Sequence, residues 1–200
     1  MSRLVTFGCS FTYGTALPDK VQSSNASPSR YAWPSVLGKL TKMQVCNKAT
    51  PASSNLEILC ELLRFDFEPD DTVIIMWTLS HRDLFFTTDS GKKLTVWSET
   101  PLAEELKNAK EIDYVRKTWL YIHHADLYLK SKNINYIHYP AAPHEIQELQ
   151  PDYINDIDNI YWTRISKVDE AADNEHPGVE SHKLQAVELQ RLLDDLQYKS

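Results

Sequence analysis

Residues Thr72-Val73-Ile74-Ile75-Met76-Trp77 form an apolar run with no polar alternation. A strand with one wet face alternates. An unbroken run of this length therefore points to a strand covered on both sides, as in the centre of a parallel sheet. Parallel strands need crossover connections, and amphipathic helices both make those crossovers and cover the faces. The rest of the chain supplies both kinds of segment. Strand-like runs lie at 4–7, 43–46 and 134–139, with a fifth expected at 159–165. Helical periodicity runs over 31–40, 55–65, 101–132 and 179–196, with Trp33, Val36, Leu37 and Leu40 on one face of the first and Ala186, Leu189, Leu193 and Leu196 on one face of the last. Residues 84–97 hold two β-prone runs around Asp89-Ser90-Gly91, which predicts a hairpin inserted between the third strand and its helix, as a flap or as a decoration. The expected fold is a single α/β domain over residues 1–200, a three-layer α/β/α sandwich with a mostly parallel, flavodoxin-like five-stranded sheet.

In such a sheet, functional groups collect beyond the carboxyl ends of the strands. The first strand ends in Phe7-Gly8-Cys9-Ser10-Phe11-Thr12-Tyr13-Gly14, which reads as a tight turn that lifts Ser10 out of the sheet edge. A capping serine would look the same in isolation. The far end of the chain adds Asp173-Asn174-Glu175-His176-Pro177-Gly178 just before the last helix. An Asp and a His three apart on a turn can set a carboxylate behind Nδ1 of an imidazole, which supplies a base together with the group that orients it. Ser10, the 47–55 loop, residues 78–82, 139–144 and 173–176 all follow expected strands and so converge on one edge.

The block around Ser10 resembles the Gly-Asp-Ser block of the SGNH (GDSL-type) hydrolases, and Asp173 to His176 resembles that family's C-terminal Asp-x-x-His block. Tyr31-Ala32-Trp33-Pro34, Asn47-Lys48-Ala49 and Ser53-Ser54-Asn55 resemble a pattern in small SGNH-like proteins, many encoded by bacteriophages. The resemblance implies a serine esterase or deacetylase acting on a small-molecule or carbohydrate ester through an acyl-enzyme, without metal or cofactor. Ser10 would be the nucleophile, His176 the general base and Asp173 its orienting carboxylate.

Two blocks depart from the pattern. The glycine that would offer an oxyanion N–H after the second strand is replaced by Ala52, Ser53 or Ser54, which serves only if the turn needs no positive φ. After the third strand the chain has Trp77-Thr78-Leu79-Ser80-His81-Arg82, with no asparagine, so the side-chain donor falls to Asn55, Thr78 or Arg82. Ser10 N–H completes the expected oxyanion set, and the Ser54 hydroxyl is also placed to cap the following helix. Cys9 stands where the family has Asp and is expected to be buried and inert, with Cys46 and Cys60 as core thiols. His182 is expected at the surface or in packing. His138 and His144 approach the same edge, but no ligand spacing accompanies them, so no metal site is expected.

A net charge of −7, from 21 basic and 28 acidic residues, argues against general affinity for nucleic acid or an anionic membrane. No apolar run reaches membrane-spanning length and Met1-Ser2-Arg3 leads straight into the first strand, so a cytoplasmic location is expected, or a virion-associated one for a phage-encoded chain. The rival from another class is a catalytically inactive SGNH-like binding or structural module, such as a phage-particle component. A nucleotide-binding protein ranks last, because the first turn lacks both glycine-rich phosphate signatures.

Overall fold

The structure, a computed structural model, describes residues 2–21, 27–82, 84–86, 93–95, 111–147, 150–151, 154, 157, 159–163 and 166–197. In chain order the elements begin with β1 (Arg3–Phe7), α1 (Ser10–Tyr13), α2 (Pro18–Val21), α3 (Trp33–Thr41), β2 (Gln44–Asn47) and α4 (Asn55–Arg64). They continue with β3 (Thr72–Trp77), β4 (Leu84–Phe86), β5 (Lys93–Thr95), α5 (Glu111–Ser131), β6 (Asn135–Pro140), α6 (Pro143–Gln147) and α7 (Val179–Gln197).

Four strands form a parallel sheet in the order β2-β1-β3-β6, with Val5 beside Cys46 and Val73, and Ile75 beside His138. Alternate side chains of the central strands enter two separate cores. Val5, Phe7, Val73, Ile75 and Trp77 pack under α4 and α5, through Ile58, Leu62, Val115, Trp119 and Ile122. Leu4, Ile74, Met76 and Tyr139 pack under α3 and α7, through Trp33, Leu37, Ala186 and Leu189. This is the three-layer sandwich that the run at 72–77 implies, since each face of β3 is buried under its own helix pair.

The fifth strand expected at 159–165 is not formed among the described residues; the sheet has four. A single parallel bridge joins His138 to Ile160, with His138 N–H on Asn159 O at 2.8 Å and Tyr161 N–H on His138 O at 3.0 Å. The next rung of a parallel ladder would need an N–H from the residue two beyond His138, which is Pro140. Proline has none, so pairing stops after one rung. A separate hairpin pairs Leu84 with Thr95 and Phe86 with Lys93, while its turn lies outside the described residues. Of the helix expected over 101–132, α5 covers the part from Glu111, and residues 96–110 also lie outside them.

Helix starts are satisfied by unlike means. Ser54 and Glu57 form a reciprocal capping box on α4. At α7, Asp169 accepts from the N–H groups of Glu180 and Ser181 at 3.0 and 2.8 Å. These bonds and the Ser181 hydroxyl outweigh desolvation and hold its carboxyl below the usual range.

Candidate active site

Ser10 is the first residue of α1, and it is buried. The turn before it depends on Gly8, where an added Cβ would stand 2.2 Å from Thr12 Oγ1 and 3.3 Å from Met76 Cβ. The single helical turn closes tightly. Thr12 and Tyr13 N–H donate to Cys9 O, and Gly14, at φ 79°, returns its N–H to Ser10 O at 2.9 Å. Ser10 is thus held on a short rigid body at the carboxyl end of β1, and its own N–H, at the first helical position, has no intrahelical acceptor.

The loop after β2 is fastened to this turn. Asn47 Nδ2 donates to Thr12 O at 2.9 Å, Asn47 Oδ1 accepts from Ala49 N–H at 3.0 Å, and Thr50 N–H donates to Gly8 O at 3.2 Å. Sequence reading did not single out Asn47 as a bridge; an Asn closing a strand two residues before a small residue is the only signal it leaves. Further on, Ala52 adopts φ 61°. The turn therefore does take the left-handed conformation that glycine takes freely, and an alanine bears it, which corrects the expectation that a residue other than glycine could serve here only without a positive φ.

The expected oxyanion donors around that turn have other uses. Ser53 N–H donates to Thr50 O at 3.3 Å. Ser54 N–H donates to Glu57 Oε2 at 2.9 Å within the capping box, where the hydroxyl also serves. Asn55 is almost wholly buried, donating through Nδ2 to Thr78 O and Thr118 Oγ1 at 3.2 Å each and accepting Thr78 N–H on Oδ1 at 2.8 Å. It staples the end of β3 to the start of α4. Thr78 is buried with its backbone committed to Asn55, and Arg82 is buried behind a turn in which its N–H meets Leu79 O at 3.1 Å.

Asp173 and His176 come together directly. His176 Nδ1 lies 2.6 Å from Asp173 Oδ2, while Asp173 Oδ1 accepts the N–H groups of Glu175 and His176 at 3.1 and 3.0 Å. Desolvation raises the Asp173 carboxyl, but these backbone bonds and the imidazole prevail and hold it at about 2. The loop is shaped by Asn174 at φ 58° and by Ala171 N–H on His176 O at 2.9 Å. Ala172 N–H reaches Ala16 O at 3.2 Å, joining this loop to the chain just past Ser10. The imidazole meets the ring of Phe11, the residue after Ser10, edge to face at 5.5 Å and 86°. Among the described residues no hydrogen bond joins Ser10 Oγ to His176; such bonds are often long in unliganded enzymes and tighten around substrate.

Three further histidines take no hydrogen-bonding part in this pair. His138 is fully buried, accepts Trp77 Nε1–H on Nδ1 at 3.1 Å, and is driven down to about 3 by burial and by Lys130. His182 is buried in packing between α3 and α7, and His144 is exposed. Among the described residues no three His, Cys, Asp or Glu side chains are grouped to hold a metal ion. Cys9 is buried, whereas Cys46 and Cys60 are only half-buried, a correction to their expected place in the core. Cys46 sits on the edge strand β2, and Cys60 lines a cavity of about 190 Å3 beside Gly8, Ser53 and Ile58, so neither is enclosed by helices on all sides. No helix among the described residues is long and apolar enough to cross a membrane.

Neither a protein-family model nor a curated protein matches the chain. Solved structures do. A G-D-S-L family protein from Desulfitobacterium hafniense DCB-2 aligns with TM-score 0.56 at 17% identity, over 95% of this chain and 98% of that one. An acetyl xylan esterase from Butyrivibrio proteoclasticus aligns with TM-score 0.61 at 12% identity, over 98% of this chain, which spans 64% of the esterase. Phospholipase A1 from Streptomyces albidoflavus NA297 aligns with TM-score 0.53 at 10% identity, over 96% of this chain and 98% of that one. The shared property is the fold: this chain has the α/β architecture of the SGNH hydrolases, with a parallel sheet between helical layers.

Proposed function

We propose that the protein is an SGNH-type serine hydrolase that cleaves a small acyl ester, with a carbohydrate hydroxyl as one candidate alcohol. The observation that carries this reading is the Asp173–His176 pair, whose imidazole stands against the residue next to Ser10. The structural neighbours, an acetyl xylan esterase and a phospholipase A1 among them, support ester chemistry on this fold.

In this reading Ser10 Oγ attacks the ester carbonyl and its proton passes to His176 Nε2. Asp173, ionised and bonded to Nδ1, fixes the tautomer with Nε2 free to accept and stabilises the imidazolium that forms. The carbonyl oxygen becomes an oxyanion, for which Ser10 N–H and Ala52 N–H are the assigned donors. Ala52 takes this part because it holds the left-handed position while the N–H groups of Ser53 and Ser54 are engaged elsewhere. Collapse of the tetrahedral species breaks the ester C–O bond, His176 returns the proton to the leaving alcohol, and the acyl group stays on Ser10 Oγ. Water, deprotonated by His176, then attacks the acyl-enzyme and releases the acid.

Hydrolysis of p-nitrophenyl acetate by wild type, Ser10→Ala and His176→Ala tests this, with a fluorophosphonate probe located by mass spectrometry. Turnover by wild type, loss in both variants and an adduct on Ser10 are expected. Equal rates in all three proteins with Ser10 unlabelled would overturn the reading and leave a binding module on the same scaffold.

A further inference from the structure

We propose that Phe11 is a positioning residue, the wall that fixes the imidazole of His176 relative to Ser10; the inference rests on the Ser10–His176–Asp173 reading. Asp173 holds His176 through one ring atom, Nδ1, at 2.6 Å. A single hydrogen bond restrains one point of a planar ring and leaves its tilt open. A second contact is needed to aim Nε2, and Phe11 supplies it at 5.5 Å and 86°, within the range of favourable edge-to-face pairs.

Phe11 is suited to the task because it does not move independently of the nucleophile. It follows Ser10 in α1, a single turn closed by Thr12 and Tyr13 N–H on Cys9 O and by Gly14 N–H on Ser10 O. Its half-buried ring also packs against the core that contains Trp33 and Met76, which restrains it on that side. The base loop is tied to the same segment by Ala172 N–H on Ala16 O at 3.2 Å. One hydrogen bond and one ring contact therefore span the same two stretches of chain. The imidazole is thereby seated against the residue that follows the nucleophile. A residue that merely filled the core would contribute stability and leave the aim of His176 to Asp173 alone.

The test compares wild type with Phe11→Ala, Phe11→Leu and Phe11→Tyr, using kcat and KM for p-nitrophenyl acetate and the downfield Nδ1–H proton of His176 by NMR. Phe11→Ala is expected to lower kcat by about 10- to 100-fold with KM unchanged, the scale of a small misplacement of a catalytic group. Its Nδ1–H signal is expected to broaden or vanish as the imidazole gains freedom. Phe11→Tyr, which keeps the flat ring, restores both. If Phe11→Ala does not fold, Phe11→Leu carries the test, since it keeps the volume without the face and is expected to lose kcat in part. Full kcat with a sharp Nδ1–H signal in a folded Ala or Leu variant overturns the proposal while leaving the triad standing. If wild type hydrolyses nothing, the hydrolase reading fails by itself, and an Nδ1–H signal insensitive to Phe11→Ala then overturns the positioning role separately.

Discussion

The backbone N–H of Trp33 donates to Nδ1 of His182 over 3.1 Å, so α3 takes its cap from α7, at the other end of the chain. Ala32, at the N-cap position of α3, offers no side-chain oxygen, and the buried imidazole fills that place. His182 must then stay neutral, because a protonated Nδ1 cannot accept.

Acid stability follows from that neutrality. Burial, opposed by Asp169 and aided by His176, brings His182 down to about 4, and burial with Lys130 brings His138 to about 3. Both groups bind protons near 6.5 once unfolded, so the unfolded state holds more protons throughout the interval below that value. Their contribution to stability is complete above pH 6.5, is lost progressively as pH falls below it, and is gone once pH has passed about 4 for His182 and about 3 for His138. Urea midpoints between pH 7 and pH 4.5 are expected to fall, with a slope of up to about 1.4 kcal/mol per pH unit from each histidine. His182→Asn keeps an acceptor for Trp33 N–H and is expected to flatten the slope; an unchanged slope would show that His182 does not couple to folding.

Ala52 at φ 61° costs about 1 kcal/mol relative to a conformation alanine prefers. Ala52→Gly removes that strain, and the entropy glycine loses on folding offsets part of the gain. Thermal melts are expected to rise by about 1–3 °C. Ala52→Val should lower the midpoint, because a β-branched residue tolerates positive φ least. Under the proposed mechanism, p-nitrophenyl acetate turnover by Ala52→Gly should match wild type, since the N–H assigned to the oxyanion is retained.

Asp173→Asn separates charge from shape. Its Oδ1 can still accept the N–H groups of Glu175 and His176, but an amide facing Nδ1 donates where the carboxylate accepted. The imidazole proton is driven to Nε2, the atom that receives the Ser10 proton in the proposed mechanism. A fall in kcat of about 10^3- to 10^4-fold at neutral pH is expected, on the scale known for such a change in a serine protease. The melting temperature should move little, because the loop's backbone bonds survive. Because Asp173 lies at about 2, an acid limb in the pH–rate profile above pH 4 belongs to another group.

The layers, the order of the principal elements and the Asp173–His176 contact were legible because each leaves a local mark. An unbroken apolar run fixed β3, helical periodicity marked α3, α4 and α7, and Asp173 and His176 share one turn. What escaped depends on residues meeting across the chain. The missing fifth strand turns on Pro140 standing at the one rung where the edge of β6 needed an N–H. Ser54 read correctly as a cap, but the same capping box occupies the N–H that a hydrolase would want for its oxyanion, a consequence of Glu57 standing three residues on that the sequence reading did not draw. Asn47 and Asn55 are similar in sequence context, yet each is bonded to a segment far from it in the chain.

Asn55 therefore offers the sharpest division between a structural and a catalytic asparagine. If it donated to the oxyanion, Asn55→Ala would lower kcat by about 10^2- to 10^3-fold with little change in stability. The geometry predicts the reverse. Removing the carboxamide strands Thr78 N–H and Thr78 O, both buried, and takes from Thr118 Oγ1 one of its two bonds, the one to Tyr114 O at 3.0 Å remaining. Each buried group so stranded costs about 1–3 kcal/mol, so Asn55→Ala is expected to be strongly destabilised while the folded fraction turns over at near the wild-type rate. Asn55→Asp retains the acceptor for Thr78 N–H but loses both donated bonds, and should fall between the two in stability. Denaturation midpoints combined with active-site titration by the fluorophosphonate probe give stability and rate per folded site. A stable Asn55→Ala protein with kcat lost would reassign Asn55 to the oxyanion hole as its side-chain donor.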